Sequence, residues 1–275
     1  GTVVTSAQAP EALLAIAAVC QQRQARLVRV GPVEADPVRQ EVIAGRLPEL
    51  SYRYQLERRL AEGQQRFSIY APEQTYADLE TPLLGQHQLE NATTALAALE
   101  LLRAQGVSWH EDALRAGFLA VRWAARMDVI GHDPTIVVDG AHNADSMRKL
   151  LAALRASFAF QRLLLVLGVN SDKDLMGIAR ELADVDAVVL TRMMNPRAAT
   201  IEQLQAAFAE HAPQVEMHSA STSRQAMDLA VGLAGARDMI CATGSLYIAG
   251  EVLRWAAARG DEIAAATIEG VDHSG

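Results

Sequence analysis

The amino-acid sequence predicts an α/β fold whose larger part is a doubly wound, mainly parallel sheet. First, strand-like apolar runs alternate strictly with helical patterns from about residue 126 onward. Second, an apolar run at 135–138 leads into an acidic glycine turn and then a helix. Third, polar turns follow four of the predicted strands, where open α/β sheets build ligand sites. The length of 275 residues leaves room for a second domain ahead of this sheet.

The preceding domain is predicted over residues 1–122. A strand–helix–strand unit opens it and suggests a parallel pair. A polar connection at 31–48 leads to two alternating runs around Glu62 and Gly63, which predict an antiparallel hairpin. The predicted strands cover residues 2–5, 26–30, 50–57, 64–71 and 74–80. The predicted helices cover residues 9–23 and 109–121, the latter capped by Ser108, with a third inside 81–105.

The doubly wound domain is predicted over residues 126–275. Its predicted strands cover residues 127–131, 135–139, 163–169, 186–191, 215–218 and 238–244. Its predicted helices cover residues 143–154, 174–183, 199–210, 222–234 and 245–259. In the first of these helices four apolar residues share one face: Met147, Leu150, Leu151 and Leu154. A partly frayed tail is expected after the last helix.

The residues of greatest chemical interest follow the strand at 135–138. Asp139, Gly140, Ala141, His142 and Asn143 place a carboxylate, an imidazole and a carboxamide in one strand-to-helix turn. A turn at the carboxyl end of a buried strand is a frequent ligand site. The structural alternative is that Asp or Asn simply caps the following helix.

Four such turns should converge on one edge of the sheet: residues 139–143, 168–174, 191–197 and 243–247. Lys173, one of only two lysines in the chain, could face an anion or could be a solvated residue at a helix start. Gly244 and Ser245 offer backbone N–H groups and a hydroxyl at a helix N-terminus. They could form an anion-binding site, a helix cap, or both.

Composition argues against several classes of protein. The net charge is −8 and no basic run is longer than a pair, so a nucleic-acid surface is not expected. No apolar run reaches about 18 residues and no signal peptide is visible, so a cytoplasmic protein without a membrane span is expected. Cys20 and Cys241 lie in apolar surroundings, which predicts buried thiols of a reducing compartment. No histidine spacing suggests a zinc site.

Neither common phosphate-binding fingerprint occurs in the sequence. With lysines only at 149 and 173, no G-x-x-x-x-G-K-[ST] loop is present, and no G-x-G-x-x-G follows a strand. If the protein handles a nucleotide, its main phosphate cradle is expected outside this chain.

Six short motifs follow one another along the chain. They are residues 85–92 (GQHQLENA), 125–128 (ARMD), 139–143 (DGAHN), 173–174 (KD), 195–197 (NPR) and 244–247 (GSLY). Together they resemble the second half of the folylpolyglutamate synthase/dihydrofolate synthase family, within the Mur ligase superfamily. DGAHN with an arginine about a dozen residues earlier is typical of this family, whereas GxHQxxNA is shared with other Mur ligases.

The resemblance implies a Rossmann-like doubly wound C-terminal domain preceded by the tail of a Mur-ligase-type central ATPase domain. It also implies an ATP-dependent ligase. ATP would phosphorylate a carboxylate of dihydropteroate or folate, and the amino group of L-glutamate would attack the acyl phosphate. Mg²⁺ would clamp the phosphates, and the protein would be a monomer.

The resemblance also implies a nucleotide side of the site. His87, Gln88 and Asn91 would face the adenine of ATP. Arg126 would reach the phosphates and stabilise the charge that develops on transfer, as a catalytic residue. Asp139 would hold the nucleotide or the incoming glutamate.

On the glutamate side, the resemblance implies contacts from Asp139, His142, Ser245 and Tyr247, with Lys173 as a further residue of the same anion-rich cleft. His142 would be the second catalytic residue. An acyl phosphate and a dicarboxylate both call for cationic and N–H donors.

Two departures from the family pattern affect these expectations. The family has Gly-Arg-x-Glu where this chain has Ala125, Arg126, Met127 and Asp128, so the local turn could differ. The family's phosphate-binding loop, magnesium ligands and modified lysine precede the segment that this chain resembles. The chain is therefore expected to be an inactive fragment without metal ligands of its own.

Two alternatives remain open on the sequence. One is a Mur ligase that adds an amino acid to a peptidoglycan precursor. The other is a non-catalytic binding module derived from the family. An upstream extension of the reading frame through a GTNGKGS-like loop would favour an enzyme over such a module.

Overall fold

A computed structural model describes residues 1–60 and 64–271, with side chains as far as residue 260. The chain divides into two compact units, Gly1–Arg122 and Trp123–Gly275. Each unit has a sheet of its own. Across the described ranges, no helix has both the length and the hydropathy that crossing a bilayer requires.

In the described part of the first unit, residues 1–60 and 64–122, five strands form one sheet that is accompanied by four helices. Its strands are β1 (Thr2–Thr5), β2 (Arg26–Pro32), β3 (Leu50–Arg59), β4 (Gln65–Tyr70) and β5 (Thr75–Thr81). Its helices are α1 (Pro10–Gln22), α2 (Arg39–Ile43), α3 (Gln86–Arg103) and α4 (Glu111–Ala120). The strand order is β1-β2-β3-β4-β5; β1, β2 and β3 are parallel, and β4 and β5 continue the sheet antiparallel. The predicted strands are confirmed, and the predicted turn at Glu62 and Gly63 lies outside the described residues.

The core of the first unit lies between its sheet and α3. Leu89 on α3 is fully buried in one cluster with Phe67 and other strand residues. Tyr52 on β3 and Tyr76 on β5 each donate a hydroxyl hydrogen bond of 2.7 Å to Glu100 on α3. These bonds connect the helix to two different strands, so α3 has a defined position on the sheet.

Two local expectations for the first unit were wrong. The connection at 31–48 contains α2, and it is organised by Arg29, a buried arginine on β2 that binds Asp36 (2.6 Å) and the carbonyl of Pro48 (2.7 Å). These contacts join Arg29 to residues 7 and 19 positions later, so local sequence periodicity could not predict them. Helix α4 begins after His110 without a side-chain cap, so Ser108 is not its N-cap.

The second unit is a six-stranded sheet covered on both faces. Its strands are β6 (Asp128–Gly131), β7 (Thr135–Val138), β8 (Leu163–Leu167), β9 (Ala187–Thr191), β10 (Glu216–Ala220) and β11 (Met239–Thr243). Its helices are α5 (Ala144–Ser157), α6 (Leu175–Glu181), α7 (Ile201–His211), α8 (Ser223–Leu233) and α9 (Leu246–Val271). The strand order is β10-β9-β8-β11-β7-β6, parallel throughout except for β6. The predicted doubly wound domain is confirmed.

The two faces of this sheet carry different helices. Alternate strand residues such as Val138, Val166 and Ala242 form one buried cluster with α8 and α9. The intervening residues face the other way, where α7 packs on β9 and contacts α6, which contacts α5. The predicted apolar face of α5 is buried. Because β11 lies between β7 and β8, the connections leave neighbouring strands toward opposite faces here, which makes this edge the topological switch point.

The last helix is longer than expected. It continues through an alanine-rich stretch to Val271 instead of ending at 259. Alanine has the highest intrinsic helix propensity, which accounts for the extension. The end of the predicted frayed tail, residues 272–275, lies outside the described residues.

Candidate functional site

The carboxyl ends of β7, β8, β9 and β11 lie at one edge of the second sheet, because these strands are parallel. Backbone hydrogen bonds connect the turns that follow them. Gly244 N–H donates to the carbonyl of Ala141 (2.9 Å), and Gly168 N–H donates to that of Thr243 (3.2 Å). The turns after β8 and β9 are joined by a bond between two asparagine side chains, described below. The predicted convergence of the four turns is therefore confirmed.

Asp139 is the buried centre of this edge, with only 6% of its surface exposed. Its Oδ1 accepts a hydrogen bond from Ala141 N–H (2.8 Å), and its Oδ2 accepts one from Met127 N–H (3.0 Å). Burial raises the pKa of the Asp139 carboxyl above its ordinary value, although both N–H groups and Arg126 act in the opposite direction. Both carboxylate oxygens therefore already accept hydrogen bonds from the protein's own backbone.

Gly140 follows Asp139 and brings the turn against the start of α9. A side chain at this position would collide with Leu246, since a Cβ would lie 2.7 Å from its Cδ2. Gly140 N–H also donates to the carbonyl of Ala125 (2.9 Å). The glycine of the DGAHN motif thus lets this turn lie close to Leu246, an exposed side chain that would have to move to admit a Cβ.

The turn at 125–128 has an unusual backbone. Ala125 and Met127 adopt φ values of 58° and 52°, in the left-handed region that residues with a Cβ rarely enter. Asp128 Oδ2 accepts from Ala125 N–H (2.5 Å), and Asp139 holds Met127 from the other side. Two carboxylates thus fix the two residues that flank Arg126.

Arg126 is half-buried beside the Asp139 carboxylate, which it influences electrostatically. The guanidinium carbon lies 5.8 Å from the centroid of the Trp123 ring, within reach of a cation–π interaction. Trp123 itself is 62% exposed. The arginine is therefore presented next to an exposed aromatic ring at the switch-point edge.

His142 and Asn143 have separate roles at the start of α5. Asn143 Oδ1 accepts from Ser146 N–H (2.8 Å) and Ser146 Oγ accepts from Asn143 N–H (3.0 Å), which is a capping box. The capping alternative therefore holds for Asn143. His142 is exposed, and its Nδ1 lies 3.1 Å from the carbonyl of Gly140. Since a carbonyl only accepts, the neutral ring carries its proton on Nδ1 in this contact and leaves Nε2 open as an acceptor.

Ser245 is the N-terminal cap of α9. Its Oγ accepts from the N–H groups of Tyr247 (3.0 Å) and Ile248 (3.4 Å) and lies 2.9 Å from Met193 Sδ. The residue is 4% exposed, so the structure places its hydroxyl among protein atoms. Tyr247, by contrast, is half exposed at the same helix start.

Lys173 is half-buried on the turn after β8, where its N–H donates to the carbonyl of Asn170 (3.2 Å). Asn170 also accepts, through Oδ1, a hydrogen bond of 3.1 Å from Asn195 Nδ2. Asn195 is buried and its Oδ1 accepts from Arg197 N–H (3.0 Å). Both asparagines lie in polar turns that the sequence singled out, at 168–174 and 191–197, but their pairing was not predicted.

In the first unit, the three predicted nucleotide-side residues lie together at the N-terminus of α3. Gln88 is buried, and its Nε2 lies 3.0 Å from His87 Nε2. Asn91 is exposed and its Nδ2 donates to Gln88 Oε1 (3.3 Å). The residues form a chain of contacts that ends in an exposed carboxamide.

The described residues contain no group of three or more His, Cys, Asp or Glu side chains arranged to hold a metal ion. Cys20 and Cys241 are both buried free thiols, as predicted.

Comparison with known proteins identifies the second unit. Residues 125–246 match the family model described as the Mur ligase, glutamate ligase domain. The match covers most of the second unit, including the four turns at the switch-point edge, and makes this unit similar to the glutamate ligase domain of Mur ligases.

Similarity to individual proteins indicates which Mur-type family the chain resembles. The chain is 35% identical over 215 residues to the dihydrofolate synthase/folylpolyglutamate synthase of Mycobacterium tuberculosis, which covers 74% of this chain and 44% of the relative. A structure of M. tuberculosis folylpolyglutamate synthase complexed with ADP superposes with a TM-score of 0.79 at 29% identity, covering 93% of this chain and 55% of that one. The structure of E. coli FolC in complex with DHPP and ADP gives 0.74 at 27% identity, covering 94% and 53%.

The chain belongs to the folylpolyglutamate synthase/dihydrofolate synthase family. It spans about half the length of the relatives that it matches.

Proposed function

We propose that the protein containing this chain is an ATP-dependent ligase that joins L-glutamate to dihydropteroate or a folate through an acyl phosphate. The observation that carries the proposal is the switch-point edge of the second unit. There, Arg126 and His142 are displayed on turns that meet around the buried Asp139, within a match to a glutamate ligase domain.

The reaction requires groups that recognise anions and one that accepts a proton. Arg126 supplies a planar guanidinium suited to phosphoryl oxygens, and it would stabilise the acyl phosphate and the charge that develops as it forms. Lys173 adds a point charge on the turn after β8, at the same edge of the sheet. The open Nε2 of His142 would take a proton from the ammonium group of glutamate. The amine formed in this way would attack the acyl carbon, forming the amide bond and releasing inorganic phosphate.

Glutamate recognition would involve the start of α9. Tyr247 is exposed enough to donate its hydroxyl to a substrate carboxylate. Ser245 would contribute by fixing the helix N-terminus, whose dipole favours anions, since its own hydroxyl is occupied by the cap.

The nucleotide would meet the first unit, as part of a central ATPase domain, at α3. The exposed Asn91 has an oxygen and one N–H left for the edge of adenine after its bond to Gln88, and His87 lies beside that pair. ATP supplies the phosphoryl group and Mg²⁺ would neutralise its charge. Because this sequence holds no G-x-x-x-x-G-K-[ST] loop, we infer that the phosphate-binding loop and the metal ligands belong to a further part of the protein.

The proposal is tested by the substrate dependence of ADP release. The protein encoded by the entire reading frame is assayed with ATP, L-glutamate and either dihydropteroate or a folate monoglutamate. ADP release is expected only when glutamate and one pterin substrate are both present, and the favoured pterin substrate distinguishes the two activities. The 275-residue chain by itself is expected to release no ADP.

Two results would overturn the proposal. ADP release that needs a UDP-linked muramyl peptide instead of a pterin would support a peptidoglycan ligase. A reading frame that adds no phosphate-binding loop, together with no ADP release under any combination, would support a non-catalytic module.

A further inference from the structure

Asp139 is the acidic residue of the DGAHN turn, which lies inside the match to the glutamate ligase domain, yet its geometry is not that of a ligand-binding carboxylate. It is almost completely buried, and each of its two oxygens already accepts one backbone N–H. A carboxylate in this state has little surface to offer a substrate. Its partners therefore indicate what it does.

One of those partners is Met127, the residue immediately after Arg126. Met127 is in the left-handed region, and so is Ala125 on the other side of the arginine. Neither residue is a glycine, so both backbones would relax to ordinary values unless surrounding contacts held them. Asp139 holds Met127, Asp128 holds Ala125 N–H, and Gly140 N–H holds the Ala125 carbonyl.

The second partner of Asp139 is Ala141 N–H, on its own turn. Asp139 thus bridges two segments, the 125–128 turn and the 139–143 turn. The carbonyl of Gly140, between these contacts, fixes the ring of His142 through Nδ1. One buried side chain therefore links the backbone under Arg126 to the backbone under His142.

We propose that Asp139 is a positioning residue: it holds the left-handed turn that aims Arg126 and sets that turn against the segment carrying His142. This inference rests on the proposed function for its catalytic consequence, but its structural part stands independently. Asp128 acts with it as the second carboxylate of the turn, and neither side chain needs to touch glutamate or nucleotide.

The structural part is tested by NMR on the 275-residue chain. Asp139→Asn keeps the shape of the side chain but leaves one acceptor oxygen for two N–H donors. We expect amide exchange at Met127 or Ala141 to accelerate about 10-fold or more. We also expect the ring-current shift of the Arg126 side-chain protons, caused by Trp123, to change. Asp145→Asn, which removes an exposed carboxylate on α5, is the matched control and should leave both signals unchanged.

The catalytic part is tested by a double-mutant cycle in the entire ligase. Asp139→Asn is expected to lower kcat about 10- to 100-fold through misplacement of Arg126, with the KM for glutamate nearly unchanged. In an Arg126→Ala background the same substitution should lower kcat much less, because the effect that acts through the position of Arg126 is already lost. Asp128→Asn should lower kcat in the same way, in both backgrounds. Because the Asp128 side chain is only half-buried, this variant replaces Asp139→Asn in the cycle if Asp139→Asn does not fold.

Two outcomes would overturn the inference. Unchanged amide exchange at both Met127 and Ala141 would show that Asp139 does not hold the turn, whether or not the protein is a ligase. A raised KM for glutamate, with effects of Asp139→Asn and Arg126→Ala that multiply, would show that Asp139 contacts substrate directly. Absence of ligase activity in the unmodified protein would instead count against the proposed function, and the exchange experiment would still decide the structural part.

Discussion

At the scale of single residues, Gly244 shows how tightly the switch-point edge is built. Its φ is 114°, and a Cβ at this position would lie 2.4 Å from the carbonyl oxygen of Gly168 on the neighbouring turn. Gly168 is 76 positions away in sequence, so the TGS motif at 243–245 could suggest a functional turn but not the reason for its glycine. The constraint comes from the close approach of two strand ends.

Gly244→Ala is expected to destabilise the second unit by at least about 3 kcal/mol, from steric overlap together with a left-handed alanine. Gly232→Ala is the matched control, because Gly232 is an exposed residue of α8 with open space around its Cα. That control should gain up to about 1 kcal/mol from helix propensity. Urea unfolding of both variants measures the difference, and equal stabilities would contradict the close approach.

The burial of Asp139 leads to a second prediction at this scale, on how stability depends on pH. Its pKa is raised in the folded protein, so between the unfolded value of 3.8 and the folded value the folded state binds the additional proton. The stability of the unmodified chain relative to Asp139→Asn should therefore fall as pH rises through that interval and level off above it. Urea unfolding between about pH 3.5 and 7 measures this. A relative stability that increases with pH would mean that hydrogen bonding outweighs burial.

At the scale of elements, local patterns predicted most of the fold. The central strands of the second sheet were predicted from short apolar runs, because a sheet covered on both faces buries successive residues of each strand. The apolar face of α5 was predicted from its helical spacing. Helix α2 was missed because Arg29 organises that segment from β2. Likewise, the left-handed turn at 125–128 could not be predicted, since the bond from Met127 to Asp139 crosses from one element to another.

The N-terminal cap of α5 leads to a prediction on the stability of this helix. Asn143→Ala is expected to cost about 1 kcal/mol, because it removes the side chain that accepts from Ser146 N–H. Asn143→Ser retains an acceptor and should cost much less. Thermal unfolding of both variants provides the comparison, and equal melting temperatures would show that the capping box contributes nothing.

At the scale of the whole molecule, the chain consists of two units with separate sheets and cores. The sequence motifs placed the predicted adenine-facing residues on the first unit, and Arg126, Asp139 and the predicted glutamate residues on the second. Within the second unit the structure sorts them further: Asp139 and Ser245 are occupied by protein contacts, while His142 and Tyr247 are exposed. Sequence motifs predict which residues belong to a site, and burial then shows which of them are accessible to a ligand.

The most direct test is the kcat of Arg126→Ala for the proposed glutamate ligation, measured on the protein encoded by the entire reading frame with Arg148→Ala as a control. Arg148 lies on α5 and is exposed in an ion pair with Asp145, so its loss should leave turnover unchanged. Removal of Arg126 is expected to lower kcat for glutamate ligation about 100- to 1,000-fold while the fold is retained. A kcat within about twofold of the unmodified enzyme would contradict the claim that the switch-point edge of the second unit carries the reaction.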